Sequence, residues 1–131
     1  MAEGVRQKEK EISFPKRGEI YLVEFDPARG HEIQKTRPAL ILQNDIGNRY
    51  SPVTIVAAIT SKFAAPPHPT DVIVKGAPSG LSLPSAVVLN QIRSVDRQRL
   101  VRRLGRLDAA AMQQVDQALK ISLGLKSFLR S

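Results

Sequence analysis

The chain has 131 residues, 42% of them hydrophobic, with no cysteine and a formal net charge of +8. That length fits a single domain with a real core, and the lack of cysteine excludes disulfides and thiol chemistry. The basic balance points to a polyanionic partner such as nucleic acid or an acidic protein segment, with ordinary solubility charge as the plainer alternative.

The opening "MAEGVRQKEKEIS" lacks the apolar centre of a secretory signal. It reads as a flexible charged tail, residues 1–13, ahead of one domain spanning 14–131. No window approaches the roughly 18 apolar residues of a membrane span. A cytoplasmic location is expected.

"GEIYLVEF" (18–25) alternates two sets of side chains, Tyr21, Val23 and Phe25 against Ile20, Leu22 and Glu24. "PALILQ" (38–43) is a short apolar run begun by Pro38, which a strand tolerates at its first position. "PVTIVAAIT" (52–60), "TDVIV" (70–74) and "SAVVLNQIRSV" (85–95) read as further strands. The segments between them are rich in Gly, Pro, Asn and Asp and read as loops and turns. "SVDRQRL" (94–100) adds a short helical turn. After Asp108 the period becomes helical, with Ala111, Met112, Val115, Ala118, Leu119 and Leu123 on one stripe. Asp108 suits an N-cap and Gly124 a stop. The expected fold is mainly β: a small SH3-like barrel of short antiparallel strands with a C-terminal amphipathic helix.

Several chemistries lack their residues. His31 and His68 stand in separate loops, outside any metal-ligand or Ser-His-Asp spacing, and read as surface residues. Neither GxxxxGK[ST] nor GxGxxG occurs. No metal and no cofactor is expected. Arg97, Arg99, Arg102, Arg103 and Arg106 crowd one region, and the arginine fork suits phosphate.

Cofactor-free chemistry on RNA remains possible, because RNA carries its own nucleophile, the 2′-hydroxyl. Cleavage through it needs a base, an acid for the leaving 5′-oxygen, and positive charge at the phosphorus. An arginine at a strand entrance, such as Arg37 before Pro38, supplies the charge. Proline also restricts the residue before it, which helps to aim that guanidinium. A threonine hydroxyl at another strand end can hold the phosphate by hydrogen bonding.

Four ordered motifs carry a resemblance: "RGEIY" (17–21), "GHEIQKTRP" (30–38), "NDIGNRYSP" with "IVAAITS" (44–61), and "QIRSVDRQRL" (91–100). From about Lys16 to Leu125 the sequence resembles the MazF/PemK-type toxins of bacterial type II toxin–antitoxin modules. The resemblance implies a sequence-specific, metal-independent endoribonuclease, an mRNA interferase acting on single-stranded RNA. It also implies a homodimer and an antitoxin whose acidic, flexible tail covers the RNA-binding face. By position, the active-site arginine and threonine correspond to Arg37 and Thr60, and the acidic residue after the loop glycine to Glu32. Glu32 is either a base or a partner that orients Arg37. Gln91, with Ser61 and Arg93, is expected on the RNA face. Asn44, Asn48 and Arg49 are RNA contacts or parts of a structural turn, and Phe25 and Tyr50 stack on bases or serve the core. Asn90 stands where relatives often carry an acid, so the RNA sequence preferred can differ. Two alternatives remain: a non-catalytic barrel binding RNA or an acidic peptide, and a gyrase-poisoning toxin of the same fold.

Overall fold

A computed structural model describes residues 14–26 and 35–127. In chain order the elements are β1 (Glu19–Asp26), β2 (Lys35–Ile41), α1 (Asp45–Tyr50), β3 (Val53–Thr60), β4 (Asp71–Gly76), β5 (Leu81–Asp96), a 3₁₀ turn (Arg97–Arg99), β6 (Leu100–Arg106) and α2 (Ala109–Ser122). The strands form one antiparallel sheet of six in the order β4-β5-β3-β2-β1-β6. The expected mainly-β fold with its C-terminal helix is present. Its sheet, however, is open, with β4 and β6 as its edges.

Those edges meet through a turn instead of a ladder. The N–H of Arg106 donates to the carbonyl of Pro78 at 3.0 Å. A Cβ on Gly80 would lie 2.0 Å from the Leu104 oxygen, and one on Gly105 would lie 2.3 Å from the Pro78 oxygen. Only glycine lets the two backbones approach so closely.

The two side-chain sets of β1 fill two cores. Ile20 joins Leu40, Ala57, Ile59, Val72, Val74, Val87 and Leu89 beneath α2, which contributes Val115 and Ala118. Val23 joins Ala39, Ile41, Val56 and Val95, with Tyr21, Phe25 and Leu100 around them. Each strand from β1 to β3 therefore buries side chains on both faces, and this is why "ALIL" and "IVAAI" read as continuous apolar runs.

One strand, β5, has to change faces midway. Ala57 pairs with Ile92, yet the next residue, Ala58, pairs with Val88. Residues 89–91 form a bulge. Val87, before it, and Leu89, at its first position, face the α2 core; after it Ile92 packs there and Val95 turns to the other core. Such a shift exchanges side-chain faces.

The helix α2 follows its sequence signals. The Asp108 carboxylate accepts from the Ala111 N–H at 2.9 Å. At the other end Gly124, at φ +77°, donates to Ile121, while Leu125 donates to Lys120 at 2.8 Å. This pair of bonds is the Schellman stop.

Two expectations need correction. The helical turn expected over 94–100 is present but shorter, Arg97–Arg99, and the arginine-rich stretch after it, Leu100–Arg106, is a strand that the sequence reading did not name. Charged side chains are what an open sheet edge tolerates. Second, β2 begins three residues before Pro38, so Arg37 lies within the strand, paired with Val23.

Candidate active site

The site grows from a splay between β2 and β3. Their ladder pairs Ala39, Leu40 and Ile41 with Ala58, Ala57 and Val56, and it stops short of Pro38. Proline has no N–H to continue it. Beyond that point β2 stays with β1, where Arg37 faces Val23, while β3 stays with β5, where Thr60 faces Ala86. A cleft of about 620 Å³ lies at the divergence. Thr36, Arg37 and Pro38 line one side, and Ile59 to Lys62 follow the end of β3. Leu81, Ser82, Leu83 and Ser85, from the start of β5, complete it.

Within the cleft the Thr60 hydroxyl is held in place. It accepts from the Lys62 N–H at 3.1 Å and donates to the Lys62 carbonyl at 3.2 Å. The Arg37 side chain is exposed, and its guanidinium has no hydrogen-bond or ion-pair partner among the described residues. Counting two residues on from Ala39 and Ala58, the alternation of strand side chains puts Arg37 and Thr60 on the same face of the sheet, across the cleft from each other. Glu32 lies outside the described residues.

A second hollow of about 330 Å³ adjoins the first, formed by Phe25, Ala58, Gln91, Ile92 and Arg93 together with Arg37. Arg37 belongs to both. The guanidinium of Arg93 stacks 5.0 Å above the Phe25 ring, a cation–π contact that leaves Phe25 half-buried instead of deep in the core. Gln91 reaches this place because it sits in the β5 bulge. Asn90 is exposed in the same bulge.

Other expected RNA contacts are not brought here. Asn48, Arg49 and Tyr50 belong to α1, with Asn44 just before it, at the opposite end of β2 and β3. From Arg37 to Leu42 the chain runs five strand residues, roughly 17 Å. Asn48 is completely buried. Its Oδ1 accepts from Thr54 Oγ1 at 2.6 Å and from Gln43 Nε2 at 3.0 Å, and its Nδ2 donates to the Gln43 carbonyl at 3.0 Å. The expectation of an RNA contact is therefore corrected: this amide pins α1 to β3. Asn44 caps α1 through the Gly47 N–H at 2.7 Å. Arg49 stacks on Tyr50 at 5.4 Å and on Phe14 at 6.0 Å.

The arginine cluster is likewise partly structural. Arg97 donates to the Asn48 carbonyl at 2.9 Å, Arg99 pairs with Glu24 at 3.4 Å, and Arg103 pairs with Glu19 at 2.8 Å. Tyr21, close to Glu19, has its phenol pKa raised by burial first and by that carboxylate second. His68 is exposed in its loop, and His31 lies outside the described residues. Among the described residues no three His, Asp or Glu side chains gather as metal ligands. Sequence reading missed Lys62, Ser82, Leu83 and Ser85. Lys62 was legible as the second of two polar residues after Thr60, whereas Ser82, Ser85 and Leu83 arrive through the β4–β5 hairpin.

Known proteins agree with this architecture. The family model described as "PemK-like, MazF-like toxin of type II toxin-antitoxin system" matches residues 16–123. The chain is similar to Endoribonuclease EndoA of Bacillus subtilis (strain 168), 44% identical over 113 residues, covering 86% of this chain and 97% of that protein. It is similar to Endoribonuclease MazF of Staphylococcus epidermidis, 43% identical over 113 residues, with 86% and 94% covered. Its fold superposes on an endoribonuclease from Mycobacterial species, solved in complex with its cognate antitoxin. There the TM-score is 0.72 and the identity 25%, covering 86% of this chain and 97% of that one. The chain belongs to the PemK-like, MazF-like toxins of type II toxin–antitoxin systems.

Proposed function

We propose that this MazF-like endoribonuclease toxin cuts single-stranded RNA at Arg37, in the cleft between β2 and β3, using the RNA's own 2′-hydroxyl. The 2′-oxygen bonds to phosphorus and the P–O5′ bond breaks. The 2′ proton passes to a base and the leaving 5′-oxygen takes a proton, so no water is consumed in this step. The products are a 2′,3′-cyclic phosphate and a 5′-hydroxyl.

One observation carries the assignment. Arg37 lines both hollows and keeps its guanidinium free of other described residues, on the same face as Thr60. A guanidinium is donor-only, so its role is to bind the scissile phosphate and stabilise the charge that develops on it. The Thr60 hydroxyl is anchored at both its acceptor and its donor side. Rotation out of its longer, 3.2 Å bond turns the proton toward a phosphate oxygen. Gln91, Ser61 and Arg93 border the track and contact RNA, with Phe25 under Arg93. Glu32 is the base, or the group that aligns Arg37, on the strength of the family resemblance.

The resemblance and the relative solved with its antitoxin support a cognate antitoxin whose acidic tail covers this cationic cleft. A homodimer, a single domain over 14–131 and a cytoplasmic location belong to the same reading. The test is to incubate the purified protein with a long single-stranded RNA in excess EDTA and identify the ends. Cleavage with cyclic phosphate and 5′-hydroxyl ends is expected. Strict dependence on added Mg²⁺, or inhibition of DNA supercoiling without RNA cleavage, overturns the reading.

A further inference from the structure

We propose that Lys62 binds the phosphate one step from the scissile one, so that the RNA crosses Arg37 from the Gln91 hollow into the larger cleft. The inference rests on the reading of Arg37 given above and adds a second phosphate position to it.

Four observations carry it. Arg37 and Lys62 are the two cations among the described residues lining the larger cleft, and no described lining residue is an acid. Phosphates are the natural counter-charge for a pocket built this way. Next, the Lys62 ammonium has no hydrogen-bond or ion-pair partner among the described residues. Arg17, Arg97, Arg99 and Arg103, by contrast, are all tied to neighbouring groups. Third, Lys62 is not a loosely placed loop residue. Its N–H and carbonyl clasp the Thr60 hydroxyl at 3.1 and 3.2 Å. The two residues stand at most about 7 Å apart along the chain, so a backbone fixed to the reacting position presents the cation nearby. Fourth, the facing side offers groups suited to the rest of a nucleotide: exposed Ser82 for hydrogen bonding, and Leu83, 58% exposed, as apolar surface for a sugar or base.

A solvated surface lysine would contribute nothing to cleavage. The proposal differs in a way that can be measured. After a cleavage site is mapped on a long RNA, two short oligonucleotides spanning it are made. Each carries one neutral methylphosphonate, one step before or one step after the scissile phosphate. With the unaltered protein, one of the two is expected to lose about tenfold in kcat/KM. Lys62→Ala should lose a similar factor on the all-phosphate oligonucleotide, mainly in KM, and should lose little more on the methylphosphonate. Lys62→Arg should restore activity. The slope of log affinity against log salt for a 2′-O-methyl, uncleavable version should fall by about 0.7, the release expected for one phosphate contact on a single strand.

Unchanged kcat/KM and salt slope in Lys62→Ala overturn the proposal. So do losses from the variant and from the methylphosphonate that simply multiply, since two groups in contact should not act independently. Either result leaves cleavage at Arg37 standing. Failure of Arg37→Ala to impair cleavage overturns the reading of the site itself, and this inference with it.

Discussion

β2 and β3 carry polar residues to both of their ends, and the two ends treat them in opposite ways. At the α1 end, Asn48 is sealed from solvent and satisfied by Thr54, Gln43 and its own helix. At the other end, Arg37 is exposed with no described partner, beside a Thr60 hydroxyl anchored to the backbone. A short sequence presents both as polar patches beside apolar runs. What separates them is where their hydrogen-bonding capacity goes: inward, to hold an element in place, or outward, to meet a ligand.

The sharpest way to break that contrast is to exchange its consequences. Arg37→Ala should lower kcat/KM by about 10³-fold, as removal of a charge-stabilising donor does. Its urea midpoint should stay close to that of the parent, because no described contact is lost. A fall in midpoint large enough to explain the activity would dissolve the distinction. Asn48→Ala should do the reverse. It strands Thr54 and Gln43 in a buried network, at a cost of about 2–4 kcal/mol in unfolding free energy. Activity per folded molecule should hold. Loss of activity in fully folded Asn48→Ala protein would show the two ends to be coupled.

Arg49→Ala tests whether the α1 end touches substrate at all. Its stacking on Tyr50 and Phe14 lies at the surface, and kcat/KM should change by no more than about twofold. A tenfold loss would carry the RNA track along the whole length of the sheet. The smallest effect concerns Tyr21, whose pKa lies above its ordinary 10.0 through burial and then Glu19. The folded chain holds this proton longer than the unfolded one. Above about pH 10 the unfolded state therefore binds fewer protons, and stability falls as pH rises. Tyr21→Phe should flatten that decline between about pH 9 and 11, measured by urea unfolding at each pH.

Much of the fold was legible because its signals are local. The alternation in β1, the β-branched run of β3, the Asp108 cap and the Gly124 stop each depend on neighbours in sequence. β6 was hidden because its arginines mask a strand whose ladder among the described residues is to β1, far back in the chain. Arg37 and Thr60 were legible through motif order, yet their meeting at one cleft depends on a β2–β3 pairing that no local pattern encodes. Asn48 misled for the same reason: its polarity is plain in sequence, but its burial is set by Thr54 and Gln43 across the end of the sheet. Ser82 and Leu83 were missed because only the β4–β5 hairpin carries them to the cleft.

The bulge in β5 has a consequence for how this strand can change length. It lets one strand present Leu89 to the α2 core and, six residues later, Val95 to the other. Because strand side chains alternate, the three unpaired residues of the bulge switch parity, so that Leu89 and Val95, an even number of residues apart, face different cores. Removing Asn90 and Gln91 leaves one excess residue, so Leu89 and every later side chain keep their present faces. Removing one turns Ile92 and Val95 inside out together. Only an odd excess keeps both cores as they are, and the one this strand uses also carries Gln91 to the hollow beside Arg37.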